Sequence, residues 1–203
     1  MIMSQIIAPQ SLYLASASPR RQELMLQMNL QFDVVQAPVD EVVKVNESPQ
    51  DYVERIATEK AVAGAEKIND ENVWVVGGDT AVIIESRILG KPASNTEANE
   101  MLRLLSGKTH QVFSAVTVFN KQKAYKAVNK TEVCFKVLTD KEIDSYILSG
   151  EPEGKAGGYA IQGLGAAFIE RINGSYSGVM GLPLFELNRL LEESGYHASA
   201  IQE

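Results

Sequence analysis

The sequence predicts an α/β fold: a mixed β-sheet flanked by helices, with two lobes around one sheet. Three observations carry the prediction. Strand-like and helix-like segments alternate through the first half of the chain. Two later segments, HQVFSAVTVFN and AYKAVNKTEVCFKVL, alternate apolar and polar residues as half-buried antiparallel strands do. Finally, 45% of the 203 residues are hydrophobic, which supplies a sizeable core and argues against disorder. Early alternation brings parallel pairing and later hairpins bring antiparallel pairing, so one sheet is expected to hold both. No repeat, low-complexity tract or Pro/Gly/Ser-rich linker interrupts the sequence, and a single domain over residues 1–203 is expected.

Ser11 to Ala15 is a short apolar run and reads as a buried strand. Ser18 then stands as an N-cap with Pro19 in the first helical turn, and that helix is expected to reach about Asn29. FDVVQAPV reads as a second strand. Ser48 and Pro49 open a helix that continues through YVERIATEKAVAGAEKI. VWVVGGDTAVIIESRIL reads as strand, break, strand. Asn95 starts a helix ending near Ser106-Gly107, and Thr139 caps a short helix ending at Gly150. AAFIERINGSYSGVM reads as a hairpin with Asn173-Gly174 at its turn, and LPLFELNRLLEES as the closing helix.

The formal charge is −7, from 19 Lys+Arg against 26 Asp+Glu. Such a surface argues against bulk nucleic-acid binding and against an anionic membrane surface. Any basic cluster is therefore local and informative. The single cysteine, Cys134, cannot form an internal disulfide, and a core thiol in a cytoplasmic protein is the expectation. MIMSQIIAPQ has neither a basic region nor a long apolar run, so no signal peptide is expected, and no stretch approaches the length of a membrane span. His110 and His197 lack metal-ligand spacing and read as structural.

LASASPRR places Arg20 and Arg21 in the first turn of a helix, where the backbone dipole is already positive. Two guanidinium groups there cost stability unless an anion arrives, and their forks match phosphate oxygens. On this reading, Arg21→Ala raises the melting temperature of the ligand-free protein. The alternative is a pair of solvated arginines facing Glu23 or Asp33. Lys60 lies on the apolar stripe of Val53, Ile56, Ala57, Ala61 and Gly64, so its ammonium either snorkels to water or meets an anion. Asp79 follows VWVVGG; a carboxylate at the end of a buried strand suits a metal ligand or general base, or else caps a turn. Lys91, taken alone, is an ordinary turn lysine. EGKAGGYAIQGLGA matches neither a Walker A loop nor a dinucleotide fingerprint. It reads as flexible backbone able to approach a ligand, with Lys155 and Gln162 as its polar side chains.

Together, LASASPRRQELM, ERIATEKA, VVGGDTAV, GKPAS, SGKTHQVFSAVTV and GEPEGKAGGYAIQGLGAAFIERINGSYSGVMGLPL resemble the Maf family of nucleotide pyrophosphatases, in the family's order and from Leu12 to Leu187. The resemblance implies an elongated mixed β-sheet flanked by helices, with two lobes around a central cleft, a fold shared with inosine triphosphate pyrophosphatases. It implies hydrolysis of a nucleoside triphosphate to the monophosphate and pyrophosphate, with a divalent cation, Mg²⁺ or Mn²⁺. A cytoplasmic homodimer without nucleic-acid or membrane partners is expected. Arg20 and Arg21 match phosphate-binding arginines, with Ser16, Ser18 and Lys155 as further substrate-binding candidates. Lys60 and Lys91 match the family's lysines, and Asp79 its proton acceptor. Asp79 and Glu41, the latter in PVDEVV beside Asp40, are the candidate metal ligands. Whether Asp79 takes a proton or holds the metal stays open at this point. Arg20, Thr80 and Gln162 match positions that choose the substrate. Gln162 in YAIQGLG points to the branch acting on dTTP and UTP, whereas a sister branch acts on 7-methyl-GTP. A nucleotide-binding regulator of cell division and septum formation is the reading from another class. Departures are small: Gly78 stands where the family usually has Ala, and Gly158 and Ala160 replace the common Ala and Gly.

Overall fold

The computed structural model describes residues 11–68, 70 and 72–197. The segment MIMSQIIAPQ lies outside the described residues. Seven strands and six helices follow in the order β1 (Ser11–Leu14), α1 (Pro19–Gln27), β2 (Asp33–Val34), α2 (Pro49–Lys67), β3 (Val73–Ile84), β4 (Arg87–Leu89), α3 (Asn95–Leu105), β5 (Thr109–Asn120), β6 (Lys123–Phe135), α4 (Asp140–Leu148), β7 (Ile169–Asn173), α5 (Tyr176–Met180) and α6 (Leu184–Glu193). The helix starts follow the capping chemistry of the sequence. Ser48, Ser94 and Thr139 each accept a backbone N–H of the first turn, and Thr139 with Glu142 completes a capping box.

The strands form one mixed sheet in the order β2-β1-β3-β5-β6-β7, with β4 also paired to β3. β2, β1 and β3 run parallel, and β3, β5, β6 and β7 pair antiparallel. β3 organises the whole. One of its edges is covered by β5 from Val75 to Ile83. The other is shared: β1 pairs Val73 to Val76, and β4 pairs Val82 to Ile84. Between these two partners, residues 77 to 81 have no strand beside them. The sheet is split there into two lobes, and a cleft opens over that gap.

Each lobe has its own apolar packing. Leu12, Leu14, Leu24, Met25, Trp74 and Val76 bury against Leu187 and Leu190 of α6. Val82, Ile84, Leu102, Leu105, Phe135 and Phe168 bury at the opposite end, under α3 and α4. On the other face of the sheet lies α2, which is small along its contact stripe: Ala57, Ala61 and Gly64 are all fully buried or nearly so. The approach is close enough that a Cβ on Gly77 would fall 2.1 Å from the Ala57 carbonyl oxygen. Only glycine fits at that point of β3.

Several expectations need correction. In FDVVQAPV the strand is confined to Asp33 and Val34, with Val35 N–H also donating to the Leu14 carbonyl at 3.0 Å. VWVVGGDTAVII is one continuous strand, because β5 supports it across both glycines. AAFIERINGSYSGVM is not a hairpin: its first half pairs with β6, and Ser175 then caps α5 by accepting Gly178 N–H. Cys134 is half-buried with Sγ 3.8 Å from a Glu170 carboxylate oxygen, since Val133 and Phe135 take the core side of the period-two alternation. His110 is structural as expected. It is buried with Nε2 2.8 Å from the Tyr159 hydroxyl, and burial lowers its pKa to about 4.

Candidate active site

The cleft over the β3 gap has a volume of about 820 Å³. Ser16, Ser18, Arg20, Arg21, Glu41, Lys60, Asp79, Thr80, Lys91, Lys155 and Gln162 all line it. Every site candidate drawn from the sequence therefore reaches one space, although they come from seven separate stretches of chain.

β3 supplies the floor. Asp79 lies opposite Ala115 of β5 and is buried, within the continuous strand and not at its end. Successive strand residues face opposite sides of the sheet. Asp79 accordingly faces α2, and its Oδ1 accepts from Lys60 Nζ at 2.8 Å. Lys60 is thus the stripe lysine that meets an anion, and it meets two: Glu41 Oε1 lies 2.7 Å from the same Nζ. The segment carrying Glu41 is tied down by Tyr52, whose hydroxyl donates to the Glu41 carbonyl at 3.0 Å, and by Arg55, which donates to the Val42 carbonyl and pairs with Glu47. Burial pushes the Glu41 carboxyl up, but the Lys60 hydrogen bond and the charges of Lys60, Lys91 and Arg21 outweigh it and hold the pKa below its ordinary value. The Tyr52 hydroxyl is pushed up to about 12 by burial and by the neighbouring Asp79 and Glu41 charges.

The arginines answer to a different partner from the one expected. Ser18 has no side-chain capping bond, and no acidic residue stands in the first turn of α1. Arg21 Nε donates to the Gly181 carbonyl at 2.8 Å, its Nη1 donates to Ser16 Oγ at 3.1 Å, and Arg20 Nε donates to the Met180 carbonyl at 3.3 Å. Those carbonyls terminate α5, where helix carbonyls lack intrahelical donors. The positive charge at the start of α1 is therefore matched by the carboxyl end of α5. No ion pair with Glu23 or Asp33 forms, and the expected strain is relieved within the fold itself. Gly181 adopts φ 126°, a left-handed-region value that favours glycine and aims its carbonyl at Arg21. Burial lowers the Arg21 pKa against the pull of Asp79 and Glu41.

Thr80 faces the Arg21 side, with its hydroxyl 3.1 Å from Ser114 Oγ and donating to the Gly181 carbonyl at 3.4 Å. Lys155 donates to the Glu153 carbonyl at 3.0 Å; burial and then the Arg20 charge are the leading causes lowering its pKa. Lys91 and Gln162 are exposed on the cleft wall.

A profile of the Maf family, described as Maf-like protein, matches residues 11–194. The chain belongs to the Maf family. Among its relatives, a Hydrogenovibrio crunogenus protein named dTTP/UTP pyrophosphatase is 46% identical over 187 residues, covering 92% of this chain and 97% of its own. Proteins of the same name from Vibrio parahaemolyticus and Xanthomonas euvesicatoria are each 48% identical, covering 90% and 92% of this chain and 96% and 100% of theirs. Among solved structures, the Staphylococcus aureus Ham1 protein aligns with a TM-score of 0.42 at 16% identity, over 78% of this chain and 79% of that one.

Two groups in this Maf chain escaped the sequence reading. Tyr52 belongs to the α2 stripe and looks like core until its hydroxyl is followed to the Glu41 segment. Tyr146 and Glu151 stand behind the glycine-rich wall, and only the spacing of the glycines themselves pointed there.

Proposed function

We propose that this protein hydrolyses dTTP and UTP to the nucleoside monophosphate and pyrophosphate. The observation that carries the reading is the half-buried Lys60 ammonium shared between Asp79 and Glu41 on a cleft wall that also presents Arg20, Arg21, Lys91 and Lys155. Five cationic side chains around two carboxylates suit a polyanion that must be both held and attacked. Relatives 46–48% identical that carry the name dTTP/UTP pyrophosphatase support the same chemistry.

In this reading Arg20, Arg21, Lys91 and Lys155 bind the triphosphate oxygens. Asp79 takes a proton from the attacking water, whose oxygen bonds the α-phosphorus. The bridging bond between the α- and β-phosphates breaks, and its electron pair leaves with pyrophosphate. Lys60 holds the Asp79 carboxylate in place through its hydrogen bond and offsets charge developing on the phosphates.

A divalent cation fits this donor set. Glu41 and Asp79 already converge on one cation, Lys60 Nζ, through hard oxygen donors. Among the described residues no group of three or more His, Cys, Asp or Glu side chains is placed to hold a metal. Two carboxylates completed by substrate phosphates is the usual arrangement for Mg²⁺. The alternative role for Asp79 is to hold Mg²⁺ or Mn²⁺ together with Glu41; the ion would then neutralise phosphate charge and make a bound water more acidic.

Gln162 is the side chain assigned to the base. Uracil and thymine offer one N–H between two carbonyls, and a neutral amide both donates and accepts. Cytosine reverses one of those groups, and 7-methylguanine is larger and cationic. Steady-state kinetics with UTP, dTTP, CTP and 7-methyl-GTP in Mg²⁺ or Mn²⁺ test the assignment. Higher kcat/KM for UTP and dTTP is expected. A preference for 7-methyl-GTP contradicts the base reading alone, and inactivity on all four contradicts the enzyme reading.

A further inference from the structure

The glycine-rich segment reads as flexible in the sequence, yet it is fastened from behind. Glu151 Oε1 accepts from the Tyr146 hydroxyl at 2.8 Å and from Gly165 N–H at 3.0 Å. Its Oε2 accepts from Leu164 N–H at 2.9 Å. The Tyr146 oxygen in turn accepts from Ala160 N–H at 3.1 Å. One carboxylate and one phenol therefore grip both ends of residues 160–165, and Gln162 stands between the grips.

The glycines of IQGLGA belong to this clamp. A Cβ on Gly163 would lie 2.2 Å from Glu151 Oε2. One on Gly165 would lie 2.8 Å from the Ala160 carbonyl oxygen and 2.9 Å from the Tyr146 oxygen. A side chain at either position would force the clamp apart. Tyr146 is itself fixed in the core, buried and edge-on to Phe168 at 4.9 Å between ring centroids. Glu151 does not line the cleft, so its contacts reach the substrate only through the segment it holds. Burial pushes its carboxyl up, but the Gly165 and Leu164 N–H groups and the Tyr146 hydroxyl outweigh this and keep it ionised at neutral pH.

We propose that Glu151, through Tyr146 and the 160–165 backbone, is a positioning residue for base recognition: it presents the Gln162 amide to the pyrimidine edge. The proposal rests on the reading that Gln162 meets the base. Of the residues assigned to the triphosphate, Arg20 and Arg21 stand on α1, away from the clamp, whereas Lys155 feels the Glu151 charge.

The test combines Glu151→Gln, Tyr146→Phe and Gln162→Ala. Each is followed by KM and kcat for UTP and dTTP, and by inhibition with tripolyphosphate, which has the charge of the substrate and no base. Losing one such hydrogen bond is expected to raise KM for UTP about tenfold in Glu151→Gln, with kcat within about threefold. In Tyr146→Phe, which leaves the Glu151 charge beside Lys155 in place, the tripolyphosphate inhibition constant is expected to stay within about twofold, which general loosening of the cleft would not allow. Because the clamp acts through Gln162, adding Glu151→Gln to Gln162→Ala is expected to change KM by less than about twofold. If Glu151→Gln does not fold, Tyr146→Phe gives the same readouts. Equal weakening of UTP and tripolyphosphate overturns the proposal, as does independent multiplication of the two KM effects. If Gln162→Ala raises KM and neither clamp variant does, the clamp alone fails. If Gln162→Ala leaves KM unchanged, the base reading falls and the proposal with it.

Discussion

Lys60 Nζ lies 2.7 Å from Glu41 and 2.8 Å from Asp79, so one ammonium serves two carboxylates from different parts of the chain. This residue-level fact removes the turn-cap reading of Asp79, which lies within β3, and is what motivates its proposed role as proton acceptor. Asp79→Asn keeps the shape and removes the charge, so turnover is expected to fall below detection while nucleotide binding, followed by calorimetry, stays measurable. Near-normal kcat would remove Asp79 from the chemistry. Lys60→Ala is expected to lower kcat/KM for UTP by roughly one to two orders of magnitude, since a charge-assisted hydrogen bond contributes ~1.5–3 kcal/mol. Arg21 reverses the sequence-based expectation. Its guanidinium satisfies the Gly181 carbonyl and the Ser16 hydroxyl, so Arg21→Ala leaves both without that donor. The apo protein is expected to lose about 1–3 kcal/mol and to melt at a lower temperature, not a higher one. A rise on calorimetric melting would restore the idea of an unrelieved positive helix start.

At the scale of elements, the site depends on how closely α2 lies on β3. Ala57, Ala61 and Gly64 on the helix and Gly77 on the strand keep that interface free of bulk, which brings Lys60 on α2 into contact with Asp79 on β3. Gly77→Ala is expected to cost about 1–3 kcal/mol through overpacking against the Ala57 carbonyl. It is also expected to lower kcat more than it weakens substrate binding, because it separates the two reacting-site elements. Denaturant unfolding and steady-state kinetics on the one variant check both; unchanged kcat would mean the close packing does not set the pair. This interface was half legible in sequence. The stripe on α2 and the anomaly of Lys60 within it could be read from helical spacing, whereas the anionic partners could not, since Glu41 and Asp79 stand 19 positions before and after it. Gly77 and Gly78 look like a break because glycine weakens an isolated strand; pairing with β5 and packing under α2 override that. Likewise, Asn173-Gly174 looks like a hairpin turn, but the Ser175 cap three residues ahead of Gly178 decided for a helix. The opposition of the arginines to the end of α5 had no local signal, for their partners lie 160 residues away.

For the molecule as a whole, the β3 gap joins two lobes whose cores are separate, and the distal core carries a built-in acid sensitivity. His110 is held neutral by burial, with its pKa lowered from 6.5 to about 4. The unfolded chain therefore binds this proton more tightly than the folded one. The corresponding stability is fully present above pH 6.5 and is lost as pH falls from 6.5 towards 4, by about 3 kcal/mol in all. Urea unfolding at about pH 7 and about pH 4.5 is expected to show this loss, and His110→Gln is expected to remove most of the difference. Equal pH dependence in both proteins would assign the loss to other groups. The central claim, that this cleft hydrolyses the bond between the α- and β-phosphates, is tested most directly by the products from UTP in Mg²⁺. UMP and pyrophosphate in equal amounts are expected from the wild-type protein, and neither from Asp79→Asn. UDP with inorganic phosphate, or equal product from both proteins, would contradict that claim.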